Sequence, residues 1–185
     1  MSLYVVLAGD HVRLQESVFA PAGTAPRGAI PATALRDADP TAVPPEIRTL
    51  SGDTVFVSAV QRGELERFCA ANGVPLRVRP DVWGDLLEYF LDTGFTPGAR
   101  AATQARLSLV GLGEGEVAGI RHEVAPLMHA YNGLHQDWYH LGLADLLDAA
   151  AADRTPGHLR IPPAERAAFC AWAMGIADLG HAQRG

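Results

Sequence analysis

From Thr54 the sequence reads TVFVSAV, then QRGELERFCAANG, then VPLRVR. The first run is β-branched and apolar, the second has helical periodicity and closes on Asn72-Gly73, and the third alternates Leu76 and Val78 against Arg77 and Arg79. This spacing predicts a strand over 54–60, a helix over 61–73 stopped by the glycine, and a strand over 74–79. A strand, a short helix and a strand in that order make a right-handed crossover joining two parallel strands.

The remainder is arranged around this unit. Residues 3–8 and 12–19 read as two strands of a hairpin turning at Gly9-Asp10, where glycine accepts a positive φ. Val12 and Leu14 share one face of the second strand, and His11 and Arg13 the other, so one side of the hairpin is wet. Residues 20–53 carry six prolines and three glycines and read as a long loop. Its apolar residues Ile30, Leu35, Val43, Ile47 and Leu50 lay it on the body of the protein.

From Pro80 the period turns helical and stays so. A helix over 80–93 opens with proline in its first turn. Another begins near residue 97 and ends at Gly111 or Gly113, and GLGEGE (111–116) is a helix-to-helix turn whose glutamates would repel phosphate. A long helical region follows, with Val117, Ile120, Val124, Leu127, Tyr131, Leu134, Trp138 and Leu141 as its core seam, kinked or split at Pro126 and Gly133. The last helix opens at Pro162-Pro163. The expected fold is α+β: a small N-terminal mixed sheet, made of the hairpin and one β-α-β unit, packed against a C-terminal helical bundle. The expected organisation is a single domain over 1–185, sheet-rich to residue 79 and helical from residue 80.

Composition removes several chemistries. All fifteen basic residues are arginine. Without lysine there is no side-chain Schiff base, no Walker A lysine and no Ser-x-x-Lys acyl enzyme. The net charge of −6 disfavours a nucleic-acid partner. Cys69 and Cys170 each lie in an apolar helical pattern, outside any CxxC, and read as buried structural thiols. The N-terminal MSLYVVLAGDHVRL lacks the basic region of a secretory signal, and no apolar run is long enough for a membrane span, so a cytoplasmic protein is expected. No cofactor is expected, and no G-x-S-x-G elbow is present.

Two segments draw attention as sites. Asp81, Asp85, Glu88 and Asp92 form one acidic stripe on the helix over 80–93. A helix N-terminus explains Asp81, and a solvated face explains the other three. A functional reading would need a carboxylate pair in a cleft, and Glu88 with Asp92, one turn apart, is the best such pair. His122, His129, Gln136 and His140 could line one side of the long helical region. Histidines seven residues apart are about 10 Å apart along a helix, too far to share an ion, so no metal site is expected at His122 or His129. The run HAYNGLHQDWYHLGL (129–143) mixes aromatic and polar residues with a core seam. It suits a buried hydrogen-bond network against the helix over 80–93, a pocket, or an interface. Tyr131, Asn132, His135 and Trp138 are its ligand or interface candidates.

The functional expectation is a non-enzymatic, protein-binding accessory module, with a protein partner or a second copy of itself, and with neither nucleic acid nor membrane. Homodimerisation would use exposed Trp or Leu on the last helix. The alternative is a small metal- or acid/base-dependent hydrolase or ligand-binding enzyme. Its site would lie between the helix over 80–93 and the helix over 129–143, with Glu88 or Asp92 as base and His140 and Tyr139 as proton partners.

Overall fold

The computed structural model describes residues 5–14, 28–91, 96–135, 139–151 and 156–180. The protein is α+β, with two three-stranded antiparallel sheets followed by helices. It divides into two compact units, Met1–Arg79 and Pro80–Gly185, at the junction where the sequence pattern turns helical.

In the first unit, β1 (Val5–Ala8) and β2 (His11–Leu14) pair antiparallel, with Ala8 opposite His11. Gly9 makes the turn at φ 58°, as expected of that position. Val12 is buried and Arg13 exposed, which is the expected alternation. β3 (Ala29–Pro31) pairs with β2 on its other side. β4 (Leu35–Asp39), β5 (Glu46–Thr49) and β6 (Thr54–Phe56) form the second sheet in that order, also antiparallel. Residues expected to belong to one long loop therefore contain three strands, β3, β4 and β5. Three of the expected anchors, Ile30, Leu35 and Ile47, are buried, whereas Val43 and Leu50 are exposed beyond the ends of β4 and β5.

The reason lies in the two faces of the second sheet. Ala38, Ile47 and Val55 join the apolar core with Val5, Val12 and Leu65. The alternate positions carry Asp37, Asp39, Glu46, Arg48 and Thr54, and all five are buried as well. The register sets Asp39 opposite Glu46, Asp37 opposite Arg48, and Arg48 opposite Thr54. Buried charges survive only when paired and hydrogen-bonded. Here Arg48 donates to both oxygens of Glu46 (Nε–Oε1 3.0 Å, Nη2–Oε2 3.2 Å). Arg36 Nε donates to Asp37 at 3.0 Å. Asp39 Oδ1 accepts from the Thr41 N–H (2.9 Å) and hydroxyl (2.6 Å), and Oδ2 accepts from the Arg79 N–H (2.8 Å). The Arg79 guanidinium then bridges Asp37 and Glu46, reaching Glu46 Oε1 at 3.3 Å. Burial still pushes the Glu46 carboxyl up, while the charges of Arg48 and Arg79 pull it back.

α1 (Arg62–Asn72) covers this core with Leu65, Phe68 and Cys69. Burial raises the Cys69 thiol to about 11, so it is held as an inert structural thiol. Ahead of the helix, Gln61 acts as a neighbour to the edge strand. Its side chain accepts from the Val5 N–H at 3.3 Å and donates to the Val5 carbonyl at 2.7 Å. Gly73 closes α1 at φ 68° and donates its N–H to the Cys69 carbonyl. A Cβ there would meet nothing within 4 Å, so Gly73→Ala carries only the left-handed backbone strain. We expect that substitution to cost about 1 kcal/mol in urea unfolding.

After α1 the chain returns parallel, but its partner is β4 rather than β6. Leu76 bridges Ala38, with Ala38 N–H to Pro75 O at 2.9 Å and Arg77 N–H to Ala38 O at 2.8 Å. The crossover thus spans β5 and β4 before it lands. The faces of this segment are also the reverse of those expected: Leu76 and Val78 are exposed, and the Arg79 side chain is 5% exposed. The buried carboxylates of the second sheet decide that inversion, because a long cation at position 79 can reach Asp37 and Glu46.

The second unit holds α2 (Val82–Leu87, continuing as a 3-10 turn over Glu88–Phe90), α3 (Pro97–Leu109), α4 (Glu114–His135), α5 (Leu143–Ala151) and α6 (Arg166–Ala177). Thr96 caps α3, accepting from the Ala99 N–H at 3.2 Å, with Pro97 in the first turn. The turn into α4 is organised by Glu116, whose carboxylate reaches back to the Gly113 N–H at 2.9 Å. Asp145 does the same for Gly142 ahead of α5, at 2.8 Å. α4 (Glu114–His135) is not split at Pro126 or Gly133; both lie within the helix. At the centre of the unit Trp83 is 1% exposed, and its indole N–H donates to the Ala173 carbonyl at 2.8 Å. No helix among the described residues is long and apolar enough to cross a membrane.

Candidate functional site

The acidic stripe is committed to helix packing. Asp81 is the N-cap of α2; one oxygen accepts from the Gly84 N–H at 2.9 Å and the other lies 2.7 Å from His140 Nε2. Gly84 leaves room for this arrangement, since a Cβ there would fall 2.2 Å from the Asp81 carboxylate. Asp85 takes a two-pronged contact from Arg106 of α3, with Nε–Oδ1 at 2.9 Å and Nη2–Oδ1 at 2.6 Å. That hydrogen bond pushes the Arg106 guanidinium up. Glu88 accepts from the Thr103 hydroxyl and sits 3.8 Å from Arg106 Nη2. Asp85 and Glu88 therefore face α3, which corrects the expectation that they form a solvated face; they tie a short helix to a longer one. Asp92 lies outside the described residues.

The carbonyls at the end of α2 are satisfied from α4. Arg121 donates to Leu86 O at 2.9 Å and to Asp85 O at 3.1 Å, with its guanidinium 5.6 Å from the Tyr89 ring centroid. Burial lowers Arg121 from its ordinary value. Asn132 continues this tie, donating to Phe90 O at 2.9 Å in a buried setting. His129 meets the Phe90 ring edge-on at 5.1 Å. We expect Asn132→Ala to cost about 1–3 kcal/mol in urea unfolding, because the buried Phe90 carbonyl loses its donor.

The other candidates are dispersed. The Tyr131 hydroxyl lies between Asp145 (3.3 Å) and Asp148 (3.1 Å) of α5. Tyr139 is 97% exposed, and His122 is exposed on α4. His135 lies on α4, and Gln136 and Trp138 lie outside the described residues. Glu88 is engaged by Thr103 and Arg106, and His140 by Asp81, so the base and proton partner of the enzyme alternative are engaged by different groups. Among the described residues no three His, Cys, Asp or Glu side chains form a group that could hold a metal ion.

A different feature stands out in the second unit. A cleft of about 550 Å³ runs between α4 and α6, lined by Ile120, Glu123, Ile161, Glu165, Phe169 and Trp172 among others. Phe169 and Trp172 pack with ring centroids 5.4 Å apart, and buried Trp83 meets Trp172 edge-on at 5.6 Å, fixing its position. Arg166, next to Glu165, donates its Nε–H to the Ile161 carbonyl at 3.2 Å. Among the described residues, neither the Glu123 nor the Glu165 carboxylate has a hydrogen-bond or ion-pair partner. Sequence reasoning missed this cleft. The available signal was the aromatic pair Phe169 and Trp172, three residues apart on one helix face.

No family model, curated protein or solved structure matches this chain.

Proposed function

We propose that this chain is a cytoplasmic, protein-binding accessory module, and that the cleft between α4 and α6 is its contact face. The observation that carries the reading is a contrast between two sets of carboxylates. Asp81, Asp85 and Glu88 are all held by neighbouring groups of their own unit. Among the described residues Glu123 and Glu165 have no partner and lie beside an aromatic wall. Aromatic surface with a charged rim is the composition of an interface centre. The net charge of −6 directs the reading away from nucleic acids. A tagged full-length chain, used for capture from its native lysate and studied by sedimentation equilibrium when purified, tests the proposal. A stoichiometric partner or self-association is expected, and the absence of both would overturn it.

A further inference from the structure

We propose, resting on the protein-binding reading above, that the α4–α6 cleft docks an arginine-bearing, otherwise aliphatic segment of a partner protein. Charge complementarity selects this occupant. Among the described residues, Glu123 and Glu165 are the only ionisable side chains lining the cleft, and no basic residue lines it. An acidic segment would strip water from those carboxylates and add repulsion, and a neutral one would return hydrogen bonds without an opposite charge. The wall between them is apolar and aromatic: Ile120, Ile161, Phe169 and Trp172. A cation over an indole or phenyl face, with carboxylates beside it, is held by the ring quadrupole and by charge together.

Arginine fits better than lysine for two reasons. Its guanidinium is planar and stacks on Trp172, and its fork of N–H groups can serve two carboxylates at once. It is also less strongly hydrated, so less is lost when it leaves water. The aliphatic flanks are required by Ile120 and Ile161, which would otherwise stay wet. A volume of about 550 Å³ holds several side chains and is in the range of preformed binding clefts. Trp172, backed by Trp83, holds its place before the ligand arrives, so little ordering is needed on binding.

The test is a selection from a random heptapeptide phage library on the full-length chain, repeated on the E123Q/E165Q double variant. Both glutamates are exposed, so the variant is expected to keep the wild-type melting temperature. The expected result is convergence on peptides with one arginine between aliphatic residues. A synthetic copy should bind the wild type roughly tenfold or more tighter than the double variant, and its arginine-to-citrulline version should show a similar loss. Convergence on cation-free peptides, or equal binding to both proteins, would overturn the inference while leaving the protein-binding reading in place. A dimer that forms in the wild type and is lost in E123Q/E165Q would also overturn it, because the occupant would then be a second copy of this chain. If no peptide is selected, the inference falls; if no partner is captured from lysate and no self-association occurs either, the underlying reading falls with it.

Discussion

Arg79→Ala is expected to destabilise the Met1–Arg79 unit by about 3–5 kcal/mol, measured as urea unfolding at neutral pH. The guanidinium bridges Asp37 and Glu46, and all three side chains are 7% exposed or less. Alanine would leave two carboxylates buried with one fewer cation, and the cost is that of the orphaned charges rather than of one contact. Arg48 and Arg36 still reach Glu46 and Asp37, which limits the loss. Arg79→Lys keeps the charge but not the fork, so an intermediate deficit is expected.

The pH dependence of Arg79→Ala follows from Glu46. Burial already raises its carboxyl above the ordinary value, and removing the Arg79 charge raises it further. The folded chain then keeps the Glu46 proton to higher pH than the unfolded chain does. Between the two values the native state binds more protons, so stability falls as pH rises through that interval. The deficit of the variant is therefore expected to be largest near neutral pH and to shrink as pH falls towards the ordinary carboxylate range. A deficit that grows on acidification would contradict this account of Glu46.

Trp83→Ala carries an expected loss of similar size in the second unit, about 3–5 kcal/mol. The side chain is 1% exposed and packs edge-on against Trp172. Its removal leaves a cavity next to α6 and takes away the indole hydrogen bond that the Ala173 carbonyl accepts from outside its own helix. Trp83→Phe separates these contributions, since it keeps a ring but cannot donate a hydrogen bond. The phenylalanine variant should lose about 1–3 kcal/mol, the cost of the lost indole hydrogen bond together with a small void. Both variants should also loosen Trp172, read as a change in the near-ultraviolet circular dichroism. Equal stability of Trp83→Phe and wild type would show that the Ala173 hydrogen bond contributes nothing net.

Local signals in the sequence located most elements. Gly9 marks the first turn, Asn72-Gly73 the end of α1, and Pro97 the start of α3, each because backbone geometry admits few alternatives there. The cleft was not legible in this way. Phe169 and Trp172 are visible as a pair, but Ile120 and Glu123 come from another helix more than forty residues earlier. The acidic stripe misled for a related reason. Its spacing is correct for one helix face, but spacing says nothing about whether that face meets water or Arg106 and Thr103.

By itself the sequence determined the α+β class, the change from strands to helices at Pro80, and the boundaries at Gly9, Gly73 and Pro97, because periods, prolines and glycines act within a few residues. Only the tertiary structure decided that DAD and EIR are buried strands, that Arg79 turns inward while Leu76 and Val78 turn out, and that the chain after α1 pairs with β4. A strand carrying acids on one face looks like a loop until the cations that neutralise it are in place. Arg79 lies forty residues after Asp39 in the chain, and a pairing over that distance leaves no local trace.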